Sequence, residues 1–232
     1  MSGSNAETKR VVHVVAGVLR NAADRILLAQ RLPGKHLAGG WEFPGGKVEP
    51  GETRFDTLKR ELHEELGVEV QGARPLLCVR HAYPERVILL DVWIVTQYLG
   101  EPVGQEGQPL RWCAREDLPH AELLPADKPI VTALRLPERL TLRESSSYVM
   151  VEFSQVQKAS VAPRLLGVFC ARRDEATAAA EAGADFLVTC AELTGEDLAA
   201  LCAAIAIPVY ARGIPLTDAW QLGAAGVYGE DL

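Results

Sequence analysis

The sequence predicts an α/β protein made of two unlike halves, on three observations. Strand-like runs rich in valine, isoleucine and leucine fill the first half, one sharply marked helix interrupts them, and after a polar stretch short apolar strands alternate with alanine-rich helices. In chain order, VVHVVAGVL, RILLAQR, PLLCVRHAY and VILLDVWIVTQYL read as strands separated by turn residues. The helix starts near Thr53, and a second follows Pro129 in PIVTALRL. The polar segment ending in three serines places a linker at residues 139–147, between a first domain at 1–138 and a second at 148–232. In the second, LLGVFCAR, DFLVTC, PVYAR and GVYG read as strands and DEATAAAEAGA, GEDLAALCAAIA and TDAWQLGAA as helices, the rhythm of parallel βα units.

Composition limits the function classes. At 232 residues and 48% hydrophobic, the chain can bury a core. A net charge of −7 argues against a general nucleic-acid surface, so no duplex partner is expected. No apolar run reaches the ~20 residues that span a bilayer, and MSGSNAETKR lacks the apolar middle of a secretory signal, which together predict a cytoplasmic protein without a membrane partner. The five cysteines are scattered with no CxxC pair, so they read as buried apolar groups in a reducing compartment, and Cys78 and Cys113 lack a partner that would make a nucleophile.

The chemistry concentrates between Gly45 and Val68. Glu61, Glu64 and Glu65 stand at i, i+3 and i+4, so a helix crowds their carboxylates onto one face. Hard oxygen donors gathered in this way suit Mg²⁺ or Mn²⁺. Arg60, eight residues from Glu52 and four from Asp56 and Glu64, can fix a carboxylate through a two-pronged pair. The glycines of GGKVEPGE let backbone approach a metal or phosphate closely. A solvated acidic face is the competing reading of three glutamates taken alone.

The whole pattern runs Gly46, five residues, Glu52, seven residues, Arg60-Glu61-Leu62, one residue, Glu64-Glu65, one residue, Gly67-Val68. It resembles the Nudix box at every position, over about residues 9–138. That resemblance implies an α/β/α sandwich around a mixed sheet and hydrolysis of a nucleoside diphosphate linked to another group. WEFPGGKVEPGE with AQRLPGKHLAGG before it, and YLGEPVGQEGQPLRW and LLPADKPIV downstream, resemble the MutT branch, the 8-oxo-dGTP diphosphatases that cleanse the nucleotide pool and so avoid mutation.

By that resemblance Gly45, Glu61, Glu64, Glu65 and Glu106 bind the metals, with Glu106 on a mobile loop; Arg31 meets the phosphates, and His36 and Phe43 fold over the nucleotide with Arg86 beside it. Glu52 and Arg60 support the catalytic set, and Glu61 or Glu106 is the general base. One departure stands out: where the branch has a base-reading asparagine, this chain has Asp127. An ionised aspartate only accepts hydrogen bonds, although one kept protonated by burial also donates. A helix N-cap is an equal reading of Asp127, and both can hold. Of the other candidates, His13 reads as a packed strand residue, His63 as exposed, Trp41 as core, and His81 and Tyr83 as possible walls of a base pocket.

The tail segments DEATAAAEAGADFLVTC, IAIPVYARGI and LGAAGVYG resemble the later βα units of thiamine-phosphate synthase and its TenI relatives, which are (β/α)₈ barrels. About 85 residues stand against ~250 for a typical barrel, and Arg212-Gly213 replaces the family's phosphate-binding glycine pair. A noncatalytic half-barrel is expected, packed against the first domain or against its counterpart in a homodimer, as a structural appendage or a regulatory ligand site. Three functions follow: an oxidised-nucleotide diphosphatase, a Nudix enzyme for another nucleoside triphosphate or a thiamine-related diphosphate, or a silent nucleotide-binding module.

Overall fold

The computed structural model describes residues 9–141, 144–159, 162–189 and 193–229. Three strands, β1 (Arg10–Val18), β2 (Ile26–Gln30) and β3 (Trp41–Glu42), lead into β4 (Gly45–Lys47) and helix α1 (Arg54–Leu66). Long strands β5 (Glu69–Ala82) and β6 (Arg86–Leu99) follow, then β7 (Leu110–Cys113), helix α2 (Lys128–Arg135) and the short β8 (Arg139–Leu140). The rest alternates: β9 (Tyr148–Glu152), β10 (Leu165–Cys170), α3 (Arg173–Glu181), β11 (Phe186–Thr189), α4 (Gly195–Cys202), β12 (Val209–Ala211), α5 (Leu216–Gln221) and β13 (Gly226–Tyr228). Cys190 and residues 191–192, between β11 and α4, lie outside the described residues.

The first half holds a mixed sheet in the order β4-β1-β6-β5, with β1 and β6 parallel and the other pairs antiparallel, beside an antiparallel sheet β3-β2-β7. Alternation along β1 sorts its side chains between two layers. Val15 and Leu19 face α1, where Leu58, Leu62 and Leu66 recur at helical spacing and are fully buried. Ala16 and Val18 face the opposite layer with Ile130, Val131 and Leu134 of α2. Thr53 starts α1 by accepting the Asp56 N–H at 3.1 Å.

The second half is a curled all-parallel sheet, β8-β13-β12-β11-β10-β9. Its outer face, including Val168, Leu187 and Val209, packs on Ala176, Leu198 and Ala219 of its three helices. Its inner face, the side a complete barrel would close over, carries Tyr148, Phe169, Phe186 and Tyr210 and joins one continuous core with Leu77, Ile130 and Leu134 of the first half. Phe186 meets Tyr148 and Tyr210 edge to face at 5.9 and 5.6 Å. The segment expected to be a linker therefore begins inside the sheet: Arg139–Leu140 pairs with β13, and Leu140 is fully buried.

This packing also covers an edge. Strand β5 ends the mixed sheet, yet the Cys78 and Arg80 N–H groups donate to Gly223 and Ile205 carbonyls, each at 2.9 Å. An open strand edge invites pairing with another chain. A chain ending after Glu138 is accordingly expected to melt several degrees lower and to self-associate at concentrations where the full chain does not, as read by thermal melting and light scattering; equal behaviour of the two would show that the second half contributes no cover. Among the described residues no helix is long and apolar enough to cross a membrane.

Candidate active site

The loop from Phe43 to Thr53 sits where β4 passes close to α1, and two glycines make that approach possible. A Cβ on Gly45 would lie 2.2 Å from the Val15 carbonyl oxygen, and one on Gly46 would lie 2.1–2.2 Å from the Glu61 carboxyl group. No larger residue fits either position without moving backbone or that carboxylate. Glu61 is thereby pressed against the loop, with a side chain only 15% exposed.

Arg60 organises the carboxylates around it. Its Nε and one terminal nitrogen donate to the two oxygens of Glu52 at 2.7 and 3.0 Å, the expected two-pronged pair. The same group donates to the Lys47 carbonyl at 3.1 Å and reaches Glu61 at 3.0 Å and Glu64 at 3.2 Å. Arg60 and the Thr57 hydroxyl hold the Glu52 carboxyl down to about 2, so Glu52 is a permanent anion. Asp56, the other residue in reach by spacing, bonds Thr53 instead.

Glu65 accepts the Gly45 N–H at 3.1 Å and is pushed up to about 7 by burial, with the fields of Glu42, Glu61 and Glu106 adding to the shift. Burial raises Glu61 as well. Glu106 binds Lys35 at 2.7 Å, and its loop is tied to the end of α1 because the Gln105 N–H and the Gln108 side chain both donate to the Glu65 carbonyl. Among the described residues, no three such side chains converge at metal-binding distances, and Glu64 points outward at 58% exposure. The donor set nonetheless fits a hard divalent ion: all are carboxylate oxygens, and buried carboxylates that oppose one another's ionisation are stabilised by a cation between them.

Beside this cluster opens one cleft that gathers all five residues assigned to substrate: Arg31, His36, Phe43, Arg86 and Asp127, together with Gly45 and Gly46. Its floor is apolar, from Val14, Ala16, Ile88 and Leu90 on the parallel pair β1 and β6. Phe43 departs from expectation. It is 3% exposed and belongs to the core, so it forms a wall and does not fold over a ligand. Its backbone N–H donates to Asp127 at 3.3 Å.

Asp127 is 5% exposed, and burial pushes its carboxyl up to about 8. The negative field of Glu42 adds to this, while the Phe43 N–H and Arg31 oppose it. At neutral pH it is a carboxylic acid, with a donor O–H and an acceptor oxygen, the pair an asparagine amide would offer. Asp127 occupies the N-cap position of α2, but its side chain makes no capping bond.

Sequence reasoning did not find Glu42. It lines the cleft and accepts from Arg31 at 2.8 Å, while Arg31 also donates to the His36 carbonyl at 2.7 Å. Lying next to the box strand, it had no spacing to mark it. Tyr83 does line the cleft, stacked edge-on with His36 at 5.4 Å and His81 at 4.5 Å. Arg86 lies 6.0 Å from the Tyr83 ring, and its buried Nε has no hydrogen-bond partner among the described residues. Trp41 packs against the core with Arg111 over its ring at 4.3 Å, and His63 is exposed. His13 is half-buried on its strand and pairs with Asp91, which also holds Arg54 at 2.9 Å. Cys78 and Cys113 are buried thiols whose ionisation burial opposes.

The NUDIX domain profile matches residues 15–133. The chain belongs to the Nudix family. The 8-oxo-dGTP diphosphatase of Haemophilus influenzae is 38% identical over 126 residues, covering 54% of this chain and 93% of that protein. The Escherichia coli 8-oxo-dGTP diphosphatase is 36% identical over 124 residues, 53% of this chain and 96% of that one. Escherichia coli CTP pyrophosphohydrolase is 39% identical, again over 124 residues, 53% of this chain and 91% of that one. The first half is thus a Nudix hydrolase of the 8-oxo-dGTP diphosphatase type, in a family whose hydrolases depend on divalent metal.

Proposed function

We propose that this Nudix hydrolase converts 8-oxo-dGTP to 8-oxo-dGMP and pyrophosphate in the cytoplasm, removing oxidised nucleotides before they reach DNA. The observation that carries this reading is Asp127, a buried carboxyl held protonated in the cleft where a purine edge needs both a donor and an acceptor. Arg31 and Arg86 present guanidinium groups to the phosphates, the aromatic group of His36 and Tyr83 walls the cleft, and Glu42 keeps Arg31 in place. Glu61, Glu64, Glu65 and Glu106, with the Gly45 carbonyl, would hold Mg²⁺, or Mn²⁺ in its place; when bound, the ion neutralises the triphosphate and lowers the pKa of a water. Glu61 takes the water's proton: both carboxylates pair with a cation, but Glu61 is 15% exposed against 48% for Glu106, and its burial favours the protonated form. The domain at 148–232 supplies packing rather than catalysis.

The likeness to CTP pyrophosphohydrolase supports a second reading, in which a pyrimidine triphosphate is the substrate. Steady-state assays with 8-oxo-dGTP, dGTP and CTP in Mg²⁺ separate the two. A kcat/KM at least 100-fold higher for 8-oxo-dGTP than for dGTP, about 2.7 kcal/mol of discrimination, is the expected result. Comparable values for 8-oxo-dGTP and dGTP, or preference for CTP, would overturn the first reading and leave the hydrolase standing.

A further inference from the structure

Where the two halves meet, away from the nucleotide cleft, a second cavity brings three guanidinium groups together: Arg20 after β1, Arg74 on β5 and Arg115 after β7. Leu134 at the end of α2 and Ala225 before β13 complete it from both halves, and an adjoining pocket shares Arg20 and Arg74. None of these residues takes part in the proposed hydrolysis.

The charges around the cavity are unevenly matched. Asp24 serves two arginines, reaching Arg115 at 3.3 Å and Arg20 at 3.6 Å, and it is itself 62% exposed. Glu138, also in the wall, is taken by Arg74, whose guanidinium carbon lies over the Trp220 ring, 4.1 Å from its centre. Arg115 spends a further N–H on the Leu134 carbonyl at 3.3 Å. Three positive groups therefore face two carboxylates, and the buried Arg20 Nε has no partner among the described residues. Burial and the field of Arg20 both lower the Arg74 pKa, against the pull of Glu138. A guanidinium N–H withdrawn from water and left unpaired is unfavourable, and the arginine fork matches phosphate oxygens.

We propose that this seam between the halves is a binding site for a phosphate group, carried either by free phosphate or by a small organic phosphate monoester whose apolar part lies against Leu76, Ile94 and Leu134. The anion pairs with Arg20 and Arg115 and completes the arginines' hydrogen bonding. All of the lining except Ala225 comes from the first half, so the anion is held by that half at its border with the second.

The test is calorimetric titration of the metal-free full chain with inorganic phosphate and with phenyl phosphate, at ionic strength held constant with chloride. Saturable binding is expected, at least 10-fold weaker in Arg20→Gln and in Arg115→Gln and unchanged in Arg31→Gln, which alters only the nucleotide cleft. Tighter binding of phenyl phosphate identifies a monoester as the ligand class; equal binding identifies free phosphate. A reading that needs no substitution is the ¹⁵N spectrum of arginine side chains in the unaltered chain, where the Arg20 Nε–H must shift with the same saturation curve. No binding beyond the chloride control, binding lost in Arg31→Gln but kept in Arg20→Gln, or an unmoved Arg20 resonance would overturn the proposal.

Discussion

Glu61→Gln should lower kcat on the preferred nucleotide by ~10³-fold or more, about 4 kcal/mol of transition-state stabilisation, while the chain keeps its melting temperature within a few degrees. Glutamine has the same shape, so the close seat beside Gly46 and the bond from Arg60 survive the change. What disappears is one charged oxygen that would help hold the metal and one proton acceptor. Uniform binding through Arg31 and Arg86 is untouched, so KM should move far less than kcat. Glu106→Gln provides the contrast. Glu106 is half-exposed and neutralised by Lys35, so its loss should cost less than that of Glu61. A Glu61→Gln enzyme within tenfold of the unaltered one, or a larger loss from Glu106→Gln, would transfer the base role to Glu106.

The parts of this site that could be read in the sequence share a cause. Arg60, Glu61, Glu64 and Glu65 lie within six residues on one helix, so spacing along the chain is spacing in the structure, and Glu52, just before the helix, reaches Arg60 through its two-pronged bond. The apolar strands β1, β5 and β6 were legible for a similar reason, since their long runs carry their own periodicity. Glu42, by contrast, acquires its role only when β3 brings it beside Arg31. Phe43 could be placed at the cleft but not inside the core, because burial is decided by what packs on the other side. The two-residue β8 shows the limit most plainly: its pairing partner lies more than 80 residues away, and no local pattern marks a strand that short.

The second large effect concerns pH and Asp127. Its folded-state pKa of about 8 stands above the ~4 of an unfolded aspartate. The folded chain therefore holds this proton more tightly, and the group's contribution to stability is fully present below about pH 4 and is lost as pH rises through 8. Asparagine has no proton to lose. Between these limits the chain should lose stability relative to Asp127→Asn by as much as about 1.4 kcal/mol per pH unit, measured as the difference between their denaturation midpoints. Activity should follow the same group. Above pH 8 the acid loses its donor and gains a charge in a buried cleft, so kcat/KM for 8-oxo-dGTP should fall roughly tenfold per unit. The ratio of the unaltered chain to Asp127→Asn cancels the titration of Glu65 and His81, which both enzymes share, and isolates this one carboxyl. Asp127→Ala should cost about 100-fold below pH 8, since it removes donor and acceptor together, and less above it as the unaltered chain loses its own donor. A ratio independent of pH from 6 to 9 would mean that Asp127 does not change its protonation over that range, and would overturn its titration as the cause of the alkaline loss.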